Sequence, residues 1–420
     1  MKTTNRLMML SVTAALAGWS AGASASAFQL LEQNASGLGN AYSGQAAAAE
    51  NASTIYYNPA GMTRLPGQQI SFSFTAIQPS VKFGNTSSAM PPLVPLGTNG
   101  GDAGGWNYLP TGYLSWQINP QLWAGVGVTS PFGLKTEYDA GFIGRFQSQK
   151  TQLKTYDINP SVAWKINDVV SLGAGVSYQH ANLTQNKSTF GGVVGGAAVV
   201  LPTSYDLSDN AWGWNVGAMF APAPDTRIGV AYRSSMGYNL SGGVNVVGAF
   251  ATTGTGAVRL PDTLSAGLSQ KLTDRWQLLA DLTLTRWSSI KTLGLNLANG
   301  VASAPVNLQF SDTWRAGVGA NYKWTQDFTL KLGVAYDKSP VSDQYRTTIL
   351  PDNDRTWLAI GGKYQVGKAG TIDFGYAHLF VKNSSINQLQ NTAPLGFSGN
   401  VVGNYKDSVD IVSVQYTHSF

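Results

Sequence analysis

The chain of 420 residues has no cysteine, so no disulfide braces it. Charge is also scarce. Asp, Glu, Lys and Arg make up 12% of the residues, against the usual ~25%. No later stretch approaches the ~20 consecutive apolar residues of a membrane-crossing helix; the longest runs from Gly191 to Leu201. The formal net charge of +5 is small and dispersed, and drops to +3 without Lys2 and Arg6. That excludes the basic footprint of a nucleic-acid binder. The histidines His180, His378 and His418 stand in no motif with a nucleophile. Neither metal-ligand spacing nor a phosphate-binding glycine loop is found, so no enzyme, metal or cofactor is expected.

What is present is glycine, 48 residues, with 11% aromatics. Mean hydropathy is close to zero. An alternating polar and apolar chain gives that combination. In 328–337, Phe328, Leu330, Leu332, Val334 and Tyr336 share one face, and Thr329, Lys331, Gly333, Ala335 and Asp337 the other. In 314–324, Trp314, Ala316, Val318, Ala320, Tyr322 and Trp324 oppose Arg315, Gly317, Gly319, Asn321 and Lys323. Successive side chains of a strand point to opposite sides. Such strands suit a soluble sandwich or a transmembrane barrel with its apolar face in lipid.

Loop length decides between them. About fourteen alternating segments run from 69–83 to 406–420, an even number as bacterial barrels prefer. Short turns such as Asn167-Asp168, Thr273-Asp274 and Gly367-Lys368 alternate with long loops at 84–106, 131–150, 185–208, 241–258, 291–308, 339–354 and 382–405. Segregating short and long connections to opposite ends is the wiring of an outer-membrane barrel. The address agrees. Met1–Ala27 has the basic start, apolar run and small-residue cleavage site of a secretory signal peptide. The final strand ends on Phe420, which resembles the signal read by the outer-membrane assembly machinery. The expectation is an all-β transmembrane antiparallel barrel of about fourteen strands in the outer membrane of a Gram-negative bacterium. A monomer is expected.

One segment is neither signal nor strand. Residues 28–68 are rich in small residues and contain Asn58-Pro59-Ala60. Asn-Pro forces a turn. We expect this segment to be a hatch, or plug, inside a barrel formed by 69–420. Phe28, Gly37, Gly39, Asn58, Pro59 and Ala60 are its marker residues.

Two loops are too apolar for ordinary solvated loops: 190–201, with Phe190, Val193 and Val194, and 244–258, with Val246 and Phe250. They either cover each other or form a groove that catches a hydrophobic molecule. Charges on the inner face (Lys331, Asp337, Arg315, Asp281, Asp373, Asp157, Arg233) are expected mostly to pair with one another or with the plug. Lys331, Arg346 and Arg355 are also candidates for holding a ligand head group.

Phe28-Gln29-Leu30, Ser36-Gly37-Leu38-Gly39, Ala41-Tyr42-Ser43-Gly44 and Asn58-Pro59-Ala60 resemble the start of the outer-membrane long-chain fatty-acid transporter (FadL) family. So do Thr285-Arg286-Trp287-Ser288, Ser339-Pro340-Val341 and Pro351-Asp352-Asn353-Asp354-Arg355. That family also includes transporters of aromatic hydrocarbons. The resemblance implies passive transport of a hydrophobic small molecule. Ligand would dock on a groove formed by 185–208 and 241–258, pass to a pocket beside the hatch, and leave sideways into outer-membrane lipid through a kink in the third strand. Gly125 and Gly127 are the candidate kink residues, with close packing as the alternative. Where the family places basic residues near the pocket, this chain has His180 and Ser311. A neutral aromatic hydrocarbon is therefore the alternative to a fatty acid; a polar-solute porin or an adhesin would be further alternatives.

Overall fold

The computed structural model describes residues 27–301, 303–390 and 397–420. The expected signal peptide lies outside the described residues, apart from Ala27. The strands in chain order are β1 Gln68–Asn85, β2 Asn107–Asn119 and β3 Leu122–Thr129, which resumes at Gly133–Glu137. Then follow β4 Lys150–Lys165, β5 Val170–Val194, β6 Ala197–Ala223 and β7 Thr226–Arg233, resuming at Met236–Val246. Next are β8 Phe250–Leu260 with Thr263–Lys271, β9 Trp276–Thr285, β10 Thr313–Lys323 and β11 Phe328–Asp337. The last are β12 Arg355–Val366, β13 Gly370–Val381 with Ser384–Leu389, and β14 Asn400–Ser419. Neighbours are antiparallel throughout. β14 returns to β1 from Gln69↔Ser419 to Asn85↔Gly403, closing a fourteen-stranded barrel with no free edge there.

Alternation decides which face goes where. Phe72, Val412, Val414 and Tyr416 are exposed on the outer face of the closing seam. The inner face of the same strands carries small hydroxyl side chains that bond across the ladder: Ser71 to Thr417 at 2.9 Å, Ser73 to Thr111 at 2.7 Å, and Thr75 to Ser413 at 2.6 Å. Aromatic pairs girdle both ends of the apolar band. Trp314 and Tyr336 sit 5.3 Å apart towards the long loops, and Trp276 and Tyr322 sit 4.6 Å apart towards the short turns.

Residues 27–66 fill the lumen as a chain of short helical turns at Leu38–Asn40, Gln45–Ala48, Thr54–Tyr57 and Pro59–Arg64. The first turn packs on β10 to β13, the second on β7 to β9, and the last on β4 to β6. Wall glycines make room for this backbone. A Cβ added at Gly229 would lie 1.9 Å from the Ala46 carbonyl oxygen, and one at Gly333 2.1 Å from the Asn40 carbonyl carbon. Gly173 and Gly217 are cut out in the same way beneath Ala60 and Asn58.

The strands differ from expectation in three places. The segments 185–208 and 241–258 are not loops: β5 and β6 continue to a tip at Gly195-Gly196, and β7 and β8 to a turn at 247–249. The two hairpins join where Thr203–Ser208 pairs with Ser241–Val246. Their β-branched residues, such as Val193, Val199, Val200, Val244 and Thr252, favour continued pairing. The break in β3 lies at Ser130-Pro131-Phe132, where proline removes a ladder donor. Gly125 and Gly127 instead sit in an unbroken ladder between β2 and β4. A Cβ at Gly125 would meet Ile55 and Met62 of the plug at 2.7 Å, and one at Gly127 would press on the Tyr113 ring at 3.1 Å, so both glycines serve close packing. In β7 the inward row shifts at Ser234-Ser235 from Gly229, Ala231 and Arg233 to Met236, Tyr238 and Leu240.

Candidate functional site

An apolar cavity of about 170 Å³ opens where the strands rise above the lipid-facing band. Its walls are built by inward-facing residues of the long hairpins: Leu153 on β4, Ala181 and Leu183 on β5, Leu207 on β6, Tyr238 and Leu240 on β7, Val258 and Leu260 on β8. Leu293, Leu295, Val306 and Leu308 come from the connection after β9, and Ile349 and Leu350 from the one before β12. In the membrane the apolar face of each strand points out. Above it the polarity inverts, so that Ala181 and Leu183 face in while His180 and Asn182 face away.

The floor is aromatic. Phe28, at the start of the plug, meets the ring of Trp287 edge-on at 4.8 Å and that of Phe132 at 6.2 Å. Phe310 joins them 6.0 Å from Trp287. Trp287 is fully buried. Such contacts are worth about 0.5–1.5 kcal/mol each beyond burial. Phe28 is therefore part of the cavity wall and part of the plug.

The plug start is also sewn to the broken strand. The Leu30 amide donates to the Pro131 carbonyl at 2.8 Å, and the Gly133 amide to the Phe28 carbonyl at 2.9 Å. Gln33 donates to the Ser130 carbonyl at 2.8 Å and accepts from the Ser130 amide at 3.2 Å. Beyond the Gly112↔Val128 pair, β2 and β3 part, and residues 107–111 of β2 pair with β1 alone. The space between them is a window in the barrel wall. Gln33 fills it, accepting through its carbonyl from Thr111 at 2.9 Å and Tyr113 at 2.8 Å. One amide ahead, Ala27 N–H donates to Asp352 at 3.0 Å.

Asn58 is the central fastener of the plug. Its side-chain amide donates to the carbonyls of Ala46 at 2.7 Å and Ala218 at 3.1 Å, and its side-chain oxygen accepts from the Ala60 amide at 3.1 Å. Pro59 opens the following turn, where a missing N–H costs nothing. Gly37 and Gly39 sit against Tyr42 and against Gly361, with no room for a Cβ.

The inner-face charges are engaged. Lys331 bonds Glu50 at 2.7 Å, the Ser36 carbonyl at 2.8 Å and Asp373 at 3.2 Å, so it ties plug to wall and does not face the cavity. Arg315 pairs with Asp281 at 3.2 Å. Arg355 pairs with Asp352, and Arg346 bonds Asp343 and the carbonyls of Asp352 and Ser385. Both arginines brace the connection before β12 and neither lines the apolar cavity. His180 is on the outer face, 2.9 Å from Asn210. Phe190, Val193, Val194, Val246 and Phe250 lie at the hairpin tips, outside the cavity lining. Val194 is 69% exposed and Val246 is buried. The lining leucines and Lys187 are the residues that sequence reading missed. Their signal was the inward apolar parity of Ala181, Leu183 and Leu207.

A family model described as outer membrane protein transport protein (OMPP1/FadL/TodX) matches residues 16–420. Outer membrane protein P1 of Haemophilus influenzae is 30% identical over 420 residues, covering 90% of each chain. The long-chain fatty acid transport protein of Escherichia coli K12 is 27% identical, over 88% of this chain and 90% of that one. Among solved structures, a Pseudomonas aeruginosa FadL homologue superposes with a TM-score of 0.86 at 24% identity, covering 94% of this chain and 100% of that one. The Pseudomonas putida toluene transporter TodX gives 0.69 at 16% identity, covering 94% and 100%. At these identities the two solved structures speak to the fold.

Proposed function

This chain belongs to the outer membrane protein transport protein family (OMPP1/FadL/TodX), transport channels of the bacterial outer membrane and not enzymes; on that premise we propose that it carries long-chain fatty acids inward passively. The observation that carries the reading is the double role of Phe28, which floors the apolar cavity while its carbonyl is bonded to the broken strand β3. Apolar side chains at the hairpin tips, among them Val193 and Val194, first hold the ligand's tail. The tail then partitions into the cavity, each buried CH₂ contributing ~0.8 kcal/mol. A tail reaching the floor competes with Phe28 for Trp287 and Phe310. Displacing Phe28 draws Gln29 and Leu30 off Pro131-Phe132, and with them Gln33 out of the window between β2 and β3. The ligand leaves sideways into the membrane, bypassing the polar outer leaflet without an energy source.

The length of the lining supports a long tail over a single ring. The inward row of β5 lines it from Ala181 to Lys187, about 20 Å along the strand, far longer than one ring. Uptake of a neutral aromatic hydrocarbon is the second reading, favoured by the fold shared with the toluene transporter TodX. An open porin is opposed by the filled lumen.

Gln29 and Phe132 are directly opposite each other, flanked by the two backbone hydrogen bonds, the close type of antiparallel pair that suits a disulfide. In Gln29→Cys/Phe132→Cys, oxidation should abolish oleate uptake by cells lacking their own transporter, and reduction should restore it. Equal uptake in both states would rule out plug release as the gate. Parallel uptake of labelled toluene separates the two ligand classes.

A further inference from the structure

Among the described residues lining the apolar cavity, Lys187 carries the only charge. It stands on the inward row of β5 above the membrane band, after Ala181, Leu183 and Gln185, about 20 Å along the strand from Ala181. Lys187 is partly buried, and the buried cations all have carboxylates: Lys331 has Glu50 and Asp373, Arg315 has Asp281, and Arg355 has Asp352. Lys187 has no ion pair and no side-chain hydrogen bond among the described residues. Its one contact of that kind is the ring of Tyr205, 5.7 Å from Nζ. An isolated ammonium among apolar walls is costly unless a counter-charge arrives. Burial accordingly holds this amine below the ordinary lysine range.

We propose that Lys187 receives the carboxylate of the ligand, which makes the cavity selective for anionic, long-tailed amphiphiles over neutral molecules of the same shape. Gln185 and the Tyr205 hydroxyl lie on the same wall as further polar groups for the head. The tail then runs down β5 and β6, past Leu183 and Leu207, towards Phe28. A neutral ring offers Lys187 only a cation–π contact, worth ~0.5–2 kcal/mol, and Tyr205 already offers one. A carboxylate supplies both the missing charge and a charge-assisted hydrogen bond. The assignment rests on the reading of this cavity as the transport pocket, and it puts the head-group cation on β5 and not at the His180 or Ser311 positions.

The test compares oleate with oleyl alcohol, its neutral counterpart, binding to the purified full-length barrel in detergent. Wild-type protein should bind oleate the more tightly. Lys187→Met should weaken oleate by about tenfold or more while leaving oleyl alcohol within about twofold, and Lys187→Arg should keep most of the preference. Unfolding of each variant in heated detergent shows whether the barrel is intact. Unchanged oleate binding in Lys187→Met, or an equal loss for both ligands, would overturn the assignment while leaving the transport reading in place. Failure of wild-type protein to bind either ligand would remove the pocket reading, and the assignment with it.

Discussion

Glu32 shows how a single residue in the plug is set by its surroundings. It is fully buried, and burial pushes its carboxyl up to about 7, against the pull of its own backbone amide and of Arg355. Asp337 pushes the same way as burial, and Arg315 opposes it. The ordinary value is 4.5. Below that, the group is protonated whether the chain is folded or unfolded and costs nothing. Above about 7 the folded state must hold a buried carboxylate. The stability that the raised value represents is therefore present at low pH and lost as pH rises through 7, by on the order of 3 kcal/mol. The unfolding temperature of the wild type should fall between pH 4.5 and pH 7 and level off above that, and Glu32→Gln should flatten the fall. The same slope in both proteins would place the titration elsewhere. Nothing around Glu32 in the sequence hints at this, because Arg355, Asp337 and Arg315 are far along the chain.

At the scale of elements, plug and wall fit by subtraction. Gly229 and Gly333 leave the space into which Ala46 and Asn40 settle. A valine at either site would push the plug backbone out of that space without touching the outer face. Gly333→Val and Gly229→Val should therefore still assemble, and should raise ion conductance across planar bilayers, because a displaced plug leaves an aqueous bore. Asn58→Ala removes two donors and one acceptor from buried carbonyls and an amide, a loss of about 1–3 kcal/mol for each group left bare. It should loosen the plug and alter oleate uptake while the barrel's heat-dependent gel mobility stays as in the wild type. Wall glycines at alternate positions were visible in the sequence. Which backbone each one admits was not, because the partner lies on a separate segment.

For the whole molecule, closure involves only the strands. The β1–β14 seam and every strand pair lie between Gln68 and Ser419, and the plug adds contacts inside. A chain without cysteine depends on that seam for its integrity. Deleting 28–66 should therefore leave a barrel that inserts and resists detergent, conducts ions and no longer shows saturable oleate uptake. Failure of this deletion to assemble would make the plug a folding template as well as a stopper.

Period-two alternation between Trp314 and Trp324, or Phe328 and Asp337, sets by itself which side of each strand meets lipid, and short turns against long connections set the wiring. Both are local properties, and the closed barrel follows from them. The presence of a plug was readable for the same reason, since the small residues and the Asn-Pro-Ala turn of 28–68 are contiguous. What only the tertiary structure decided is the partner of each inner charge: Lys331 meets Glu50 from 281 positions away. It decided also that β3 breaks at Pro131 and not at its glycines, and that Lys187 lines an apolar cavity. Charge pairing and cavity lining are set by which strands end up side by side, and a one-residue bulge such as the one at Ser234-Ser235 reverses what the alternation alone would assign.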